Sequence, residues 1–186
     1  MALKLHSLYA AAAALIAAGS AAAAGFMPDY IGTDYGIARY GARVYAGYAL
    51  GSEPLFGTET KHYLELMGYS LGYDGDLRQG SNNKLFRDFT RVNGVAFNWA
   101  TSTRMSDKWS ANTRIGVDVL HARTYGQEGE PVRSWDNVSG LASAGLAYAV
   151  DRHWDVRADM NYMPIKVSGN PNPRANALTT GLAYKF

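Results

Sequence analysis

Between residues 154 and 163 apolar and charged side chains take strict turns: Trp154, Val156, Ala158, Met160 and Tyr162 alternate with Asp155, Arg157, Asp159 and Asn161. A period of two puts the first set on one face of an extended strand and the second on the other, so the two faces need different surroundings. The same period recurs along the chain. Reading by it gives eight candidate strands: Asp29 to Arg39, Ala42 to Leu50, Lys61 to Tyr73, Phe89 to Thr101, Trp109 to Arg123, Val138 to Val150, Trp154 to Met163 and Arg174 to Phe186. In the last of these Leu178, Thr180, Leu182, Tyr184 and Phe186 alternate with Thr179, Gly181, Ala183 and Lys185.

A strand with one apolar and one polar face suits a wall between hydrocarbon and water, and only a closed barrel lets such strands satisfy their backbones within a membrane. The predicted fold class is therefore all-β, an eight-stranded antiparallel up-and-down transmembrane β-barrel. Mean hydropathy is −0.21, too low for a helical membrane protein. The connections have their own asymmetry. Ser106-Asp107-Lys108 and Asp151-Arg152-His153 read as tight turns, whereas Asp74 to Asp88, Gly126 to Ser134 and Ser168 to Pro173 read as long polar loops. Short turns face the periplasm in bacterial barrels and long loops face outward. Two connections depart from that rule: the first outer one shrinks to Tyr40-Gly41, and the first inner one, Gly51 to Thr60, is unusually long.

The N-terminal segment has Lys4, an apolar run from Leu8 to Ala18 and small residues through Ala22-Ala23-Ala24. That order is a secretory signal peptide, and its apolar part is too short to span a bilayer as a helix. The expected division is a signal peptide over 1–24 and an outer-membrane β-barrel over 25–186. Cys is absent, so disulfides and thiolate metal sites are excluded, and the formal charge of +2 with scattered Lys and Arg gives no nucleic-acid footprint. The 13 Tyr and 4 Trp fit interfacial girdles, with Trp99, Trp109 and Trp154 near inner strand ends.

The strand phasing sends Arg43, Glu65, Arg114, Asp118, Asp155, Arg157, Asp159 and Lys185 to the inner face. An eight-stranded barrel has an interior just wide enough to be filled by side chains, so charges held there must pair. The expected lumen network comprises Arg43, Glu65, Arg114, Asp118, Arg157 and Asp159, with Glu65 bridged by both Arg114 and Arg157. Asp155 and Lys185, near the inner rim, are expected to be solvated. The remaining interior candidates are small.

Catalytic signals are thin. Past the leader the histidines are His62, His121 and His153, none in the arrangement with Ser and a carboxylate that a hydrolase needs. Asp74-Gly75-Asp76 opens like a calcium loop but lacks the later ligands. The sequence predicts no enzyme, no metal and no cofactor; a lipid A-modifying barrel enzyme is the alternative reading. Arg78, Lys84, Phe86 and Arg87 in the long loop are the expected outer surface, suited by charge and an aromatic contact to lipopolysaccharide phosphates or a host partner.

The segments Tyr63-Leu64-Glu65-Leu66-Met67-Gly68-Tyr69, Asp107-Lys108-Trp109-Ser110 feeding Thr113-Arg114-Ile115-Gly116, and Ala183-Tyr184-Lys185-Phe186 resemble the OmpA-like eight-stranded outer-membrane barrel family. The barrel domain alone is expected, without the peptidoglycan-binding domain of larger members. The resemblance implies a bacterial outer-membrane location and a role as envelope structural protein, adhesin or narrow pore. It also implies that Tyr184 and Phe186 form the signal read by the barrel-assembly machinery. Expected partners are outer-membrane lipids and lipopolysaccharide, that machinery during biogenesis, and a host or cell-surface ligand, with no nucleic acid and a monomeric state.

Overall fold

The computed structural model describes residues 27–36, 41–55, 57–79, 85–126, 131–164 and 176–186. The expected leader, residues 1–24, lies outside them. Eight strands follow in chain order: β1 (Tyr30–Gly36), β2 (Gly41–Leu55), β3 (Thr58–Gln79), β4 (Leu85–Arg104), β5 (Trp109–Tyr125), β6 (Pro131–Ala149), β7 (Trp154–Tyr162) and β8 (Asn176–Lys185). Each pairs antiparallel with its neighbours, and β1 closes on β8 from Tyr30↔Lys185 to Gly36↔Thr179. The sheet is a closed barrel. Closure removes every sheet edge within the ring, which is what a strand-built wall in lipid requires.

Sidedness follows the period of two. On β5, Asn112, Arg114, Asp118 and Leu120 are buried inside, while Ile115, Val117 and Val119 are each about 60% exposed outside (62%, 58% and 61%). Leu66, Val95, Phe97, Val138, Leu146, Val156, Met160, Leu178 and Leu182 continue that exposed apolar band around the barrel. A band of this extent in water would be an aggregation surface; against acyl chains it is the solvated face. At its inner border the aromatic residues cluster. Trp109 and Tyr148 meet edge to face at 5.0 Å, and Tyr184 packs with Trp154 at 5.0 Å and with Phe186 at 5.1 Å.

Several strands outrun the sequence reading. The long inner connection expected at Gly51 to Thr60 is instead a continuation of β2 and β3 down to Leu55↔Thr58, past a bulge between Ala49 and Gly51. Gly57, at φ 79°, takes the left-handed conformation that the tight reversal needs. On the outer side, much of the expected Asp74 to Asp88 loop is ladder, with Leu77↔Arg87, Arg78↔Phe86 and Gln79↔Leu85. The expected Gly126 to Ser134 loop shortens likewise, because β6 starts at Pro131. In the inner extension every residue from Ala49 to Leu55 is exposed, so that stretch carries no alternation to read.

Glycines fix how the lumen is filled. Across the strand pairs, Gly32 faces Tyr45, Gly47 faces Tyr30, Gly94 faces Tyr69, Gly116 faces Asn98, Gly145 faces Asp159 and Gly181 faces Asp34. A methyl group added at any of these glycines would collide with the facing side chain or its backbone. Each bulky inward group therefore lies sideways over a position that has no side chain.

Candidate functional site

The lumen has three layers. The middle one is polar and centres on Glu65, which is wholly buried on β3. Arg114 of β5 donates to Glu65 through Nε at 2.9–3.0 Å and reaches Asp159 Oδ2 of β7 through Nη1 at 2.9 Å. Tyr30 donates its hydroxyl to Glu65 Oε2 at 2.8 Å, and Asn98 donates to Oε1 at 3.1 Å. Tyr45 donates to Asp34 Oδ1 at 3.0 Å, and Arg114 lies over the Tyr45 ring at 4.8 Å. Groups from β1, β2, β3, β4, β5 and β7 thus meet around three carboxylates, Glu65, Asp159 and Asp34, and one guanidinium.

Of the residues the sequence sends inward, Arg43, Glu65, Arg114, Asp118, Arg157 and Asp159 are all buried in the lumen. The expected bridge from Glu65 to Arg157 is not formed. Glu65 already receives Tyr30, Asn98 and Arg114, and Arg157 instead lies over the rings of Tyr30 and Tyr45 at 5.7 and 5.2 Å. Asp118 accepts hydroxyls from Tyr69 and Ser139, and Arg43 donates to Met163 Sδ at 3.4 Å. Asp155 and Lys185, expected to be separately solvated at the rim, pair at 2.7 Å while remaining partly exposed. Asp34 and the inward tyrosines are missing from the sequence-derived set. The signal for them was parity, since Ile31, Thr33 and Tyr35 on the outside place Tyr30, Gly32 and Asp34 inside.

Above this layer large apolar side chains join the inward groups, with Arg43 against Met163, where only ionic or small residues were expected. Leu71, Val92, Leu120, Leu141 and Met163 pack together there, each at most 6% exposed. Below it lies a polar vestibule open at the inner mouth, lined by Lys61, Asn112, Arg157 and Lys185 among others.

Lys84 lies outside the described residues, and Arg78, Phe86 and Arg87 are placed by their backbone on the β3–β4 hairpin rather than in a loop. Nearby, His121 Nδ1 is 2.7 Å from Asp136 Oδ1 and its Nε2 accepts Arg123 Nε at 3.0 Å, on the outward face just above Val119 and Val138. At the inner rim His62 Nδ1 accepts Trp99 Nε1 at 3.2 Å, and His153 Nδ1 is 3.0 Å from the Lys185 carbonyl. Asp151 accepts the amides of His153 and Trp154 at 2.7 and 2.8 Å, and these hydrogen bonds hold its carboxyl below the usual aspartate range.

Residues 18–186 match the model of the OmpA-like transmembrane domain. The chain belongs to that family. Outer membrane protein A of Serratia marcescens is 28% identical over 144 residues, covering 74% of this chain and 39% of its own length. Two solved barrels share the fold. Neisserial surface protein A aligns with TM-score 0.57 and 16% identity over 84% of this chain and 96% of its own. Ail, the attachment invasion locus protein of Yersinia pestis, solved in complex with the heparin analogue sucrose octasulfate, aligns with TM-score 0.52 and 12% identity over 84% of this chain and 95% of its own. This OmpA-like barrel is a protein of the bacterial outer membrane.

Proposed function

We propose that this OmpA-like barrel is a non-catalytic, monomeric surface-interaction protein whose lumen is shut. The observation that carries the reading is the stacking of the Glu65–Arg114–Asp159 layer beneath the Leu71, Val92, Leu120, Leu141 and Met163 plug. A solute would have to break a buried ion-pair network and displace an apolar core, so the lumen is a scaffold rather than a path. Function then moves to the outer end. Among the described residues, β3 pairs with β2 as far as Leu71 and runs on to Gln79, and β6 starts at Pro131 and pairs with β7 from Ala142. Among the described residues, β3 to β6 thus run on past the described ends of β2 and β7, and their outer segments include Arg78, Arg87, Arg91 and Arg123 in sequence.

Such a surface suits sulfated or phosphorylated polysaccharide, in the host matrix or in lipopolysaccharide, through charge-assisted hydrogen bonds. Catalysis is disfavoured because each ring nitrogen of His121 already meets a charged group, and His62 and His153 meet an indole and a backbone carbonyl. Residues 1–24 act as the removed leader, and Tyr184 with Phe186 act as the assembly signal. The test is adhesion of cells expressing the full chain to heparin-coated surfaces. Replacing residues 75–87 with a short neutral turn should abolish adhesion while leaving the heat-modifiable gel shift intact; adhesion unchanged by that exchange overturns the reading. Planar-bilayer recordings should show no steady conductance until Glu65→Gln is combined with Leu120→Ala.

A further inference from the structure

The inner vestibule has the makings of a ligand site. Its walls are built from inward alanines, Ala49, Ala100, Ala147, Ala149 and Ala183, where the layer above is filled by tyrosines and charges. This leaves a cavity of about 470 Å³, within the range of small-molecule sites. Six cationic side chains line it, Lys61, Arg104, Lys108, Arg152, Arg157 and Lys185, against the four carboxylates Asp29, Glu59, Asp107 and Asp155. Two of those carboxylates are committed: Asp107 to Arg104 at 2.8 Å and Asp155 to Lys185 at 2.7 Å.

At the floor stand two donors with nothing to donate to. Arg157 is 7% exposed and Asn112 4% exposed, and neither Arg157 Nε nor Asn112 Nδ2 has a hydrogen-bond partner. Arg157 also has no ion-pair partner among the described residues, although a guanidinium cannot shed its charge. Asp159 balances that charge only from beyond ion-pair distance, which leaves the Nε donor without a direct acceptor, and an unmet buried donor is costly. The two donors sit on β7 and β5 with only Ala147 and Gly145 of β6 between them, since Arg157 pairs with Ala147 and Asn112 with Gly145. Space, two convergent donors and surplus positive charge coincide.

We propose that this vestibule binds a phosphate-class oxyanion from the periplasmic side, with Arg157 and Asn112 at its floor and Lys61 and Lys108 at its mouth. The anion supplies the acceptors that Arg157 Nε and Asn112 Nδ2 lack, and the alanine walls admit a phosphoryl group carried on a sugar-sized molecule. Calorimetric titration of the folded full chain with inorganic phosphate and with glucose 1-phosphate, at matched ionic strength, tests it. Saturable one-to-one binding of either is expected, and a preference between them tells whether the group arrives free or attached. Arg157→Gln should weaken binding about tenfold or more. Ala147→Leu, which fills the cavity without touching a charge, should abolish it, and heat-modifiability gels confirm that each variant is folded. Should Arg157→Gln fail to fold, Ala147→Leu and Lys61→Gln carry the test. No saturable heat with folded protein, or binding indifferent to these changes, overturns the proposal.

Discussion

Glu65 accepts from Tyr30, Asn98 and Arg114 at once, and Arg114 extends to Asp159, so removing one member strands the others in a place water does not reach. Glu65→Gln leaves Arg114 with half its compensation, and breaking a buried pair in this way costs about 3–5 kcal/mol. The midpoint of the heat-induced gel shift should fall accordingly, and the triple variant Glu65→Gln, Arg114→Met, Asp159→Asn, which removes the charges together, should regain part of the loss. The glycines set a second residue-scale constraint. Gly47→Ala and Gly94→Ala push a methyl group into the Tyr30 and Tyr69 rings, and overpacking of this kind costs about 1–3 kcal/mol. Urea titration of refolded protein should show both variants destabilised, whereas Gly68→Ala, with open space at its Cβ, should be neutral. Sequence alone showed which strands send charge inward and that Glu65 meets Arg114; it did not show that Arg114 extends to Asp159 or that Arg157 stays off Glu65. Pairing depends on the stagger between strands, and the displacement of Arg157 onto tyrosine rings follows from neighbours that no single strand contains.

At the scale of the element, the turns and hairpins divide into those the sequence announces and those it hides. The β6–β7 turn is announced: Asp151 caps the amides of His153 and Trp154 and orients the strand that follows. Because its carboxyl is held below the usual range, the folded state favours the ionised form, and the resulting stability is present above the ordinary aspartate range and lost as pH falls through the lowered value. Asp151→Ala should therefore lower the thermal midpoint at neutral pH, and the difference from the parent should vanish in strong acid. The hairpins beyond the membrane are hidden. β3 and β4 run for 22 and 20 residues, about twice what a tilted strand needs to cross hydrocarbon. Their polar ends looked like loops, because alternation is written only where the two faces meet different solvents. The same reason explains why the expected loop from Gly51 to Thr60 turned out to be strand.

For the whole molecule, the three-layer lumen and the apolar belt make a single statement: the inside is packed and polar at its centre, and the outside is solvated by lipid. The barrel and its strand order were legible from the period of two, and so was the inward placement of Glu65, Arg114 and Asp159. The apolar plug was not, because Leu71, Val92, Leu120 and Leu141 look in sequence like residues that should face lipid. A charge placed on the belt tests the belt directly. Val117→Arg should cost about 2–4 kcal/mol of folding free energy in vesicles, as lipid-facing cations do near the bilayer midplane, whereas Asn93→Arg at the rim should cost far less.

The most direct measurement is a nitroxide scan along β5. The chain has no native cysteine, so single cysteines from residue 113 to residue 119 can be labelled in refolded, vesicle-embedded protein and probed for collisions with dissolved oxygen. Accessibility should peak at 113, 115, 117 and 119 and fall at 114, 116 and 118. A flat profile, or maxima at 114, 116 and 118, would contradict the account.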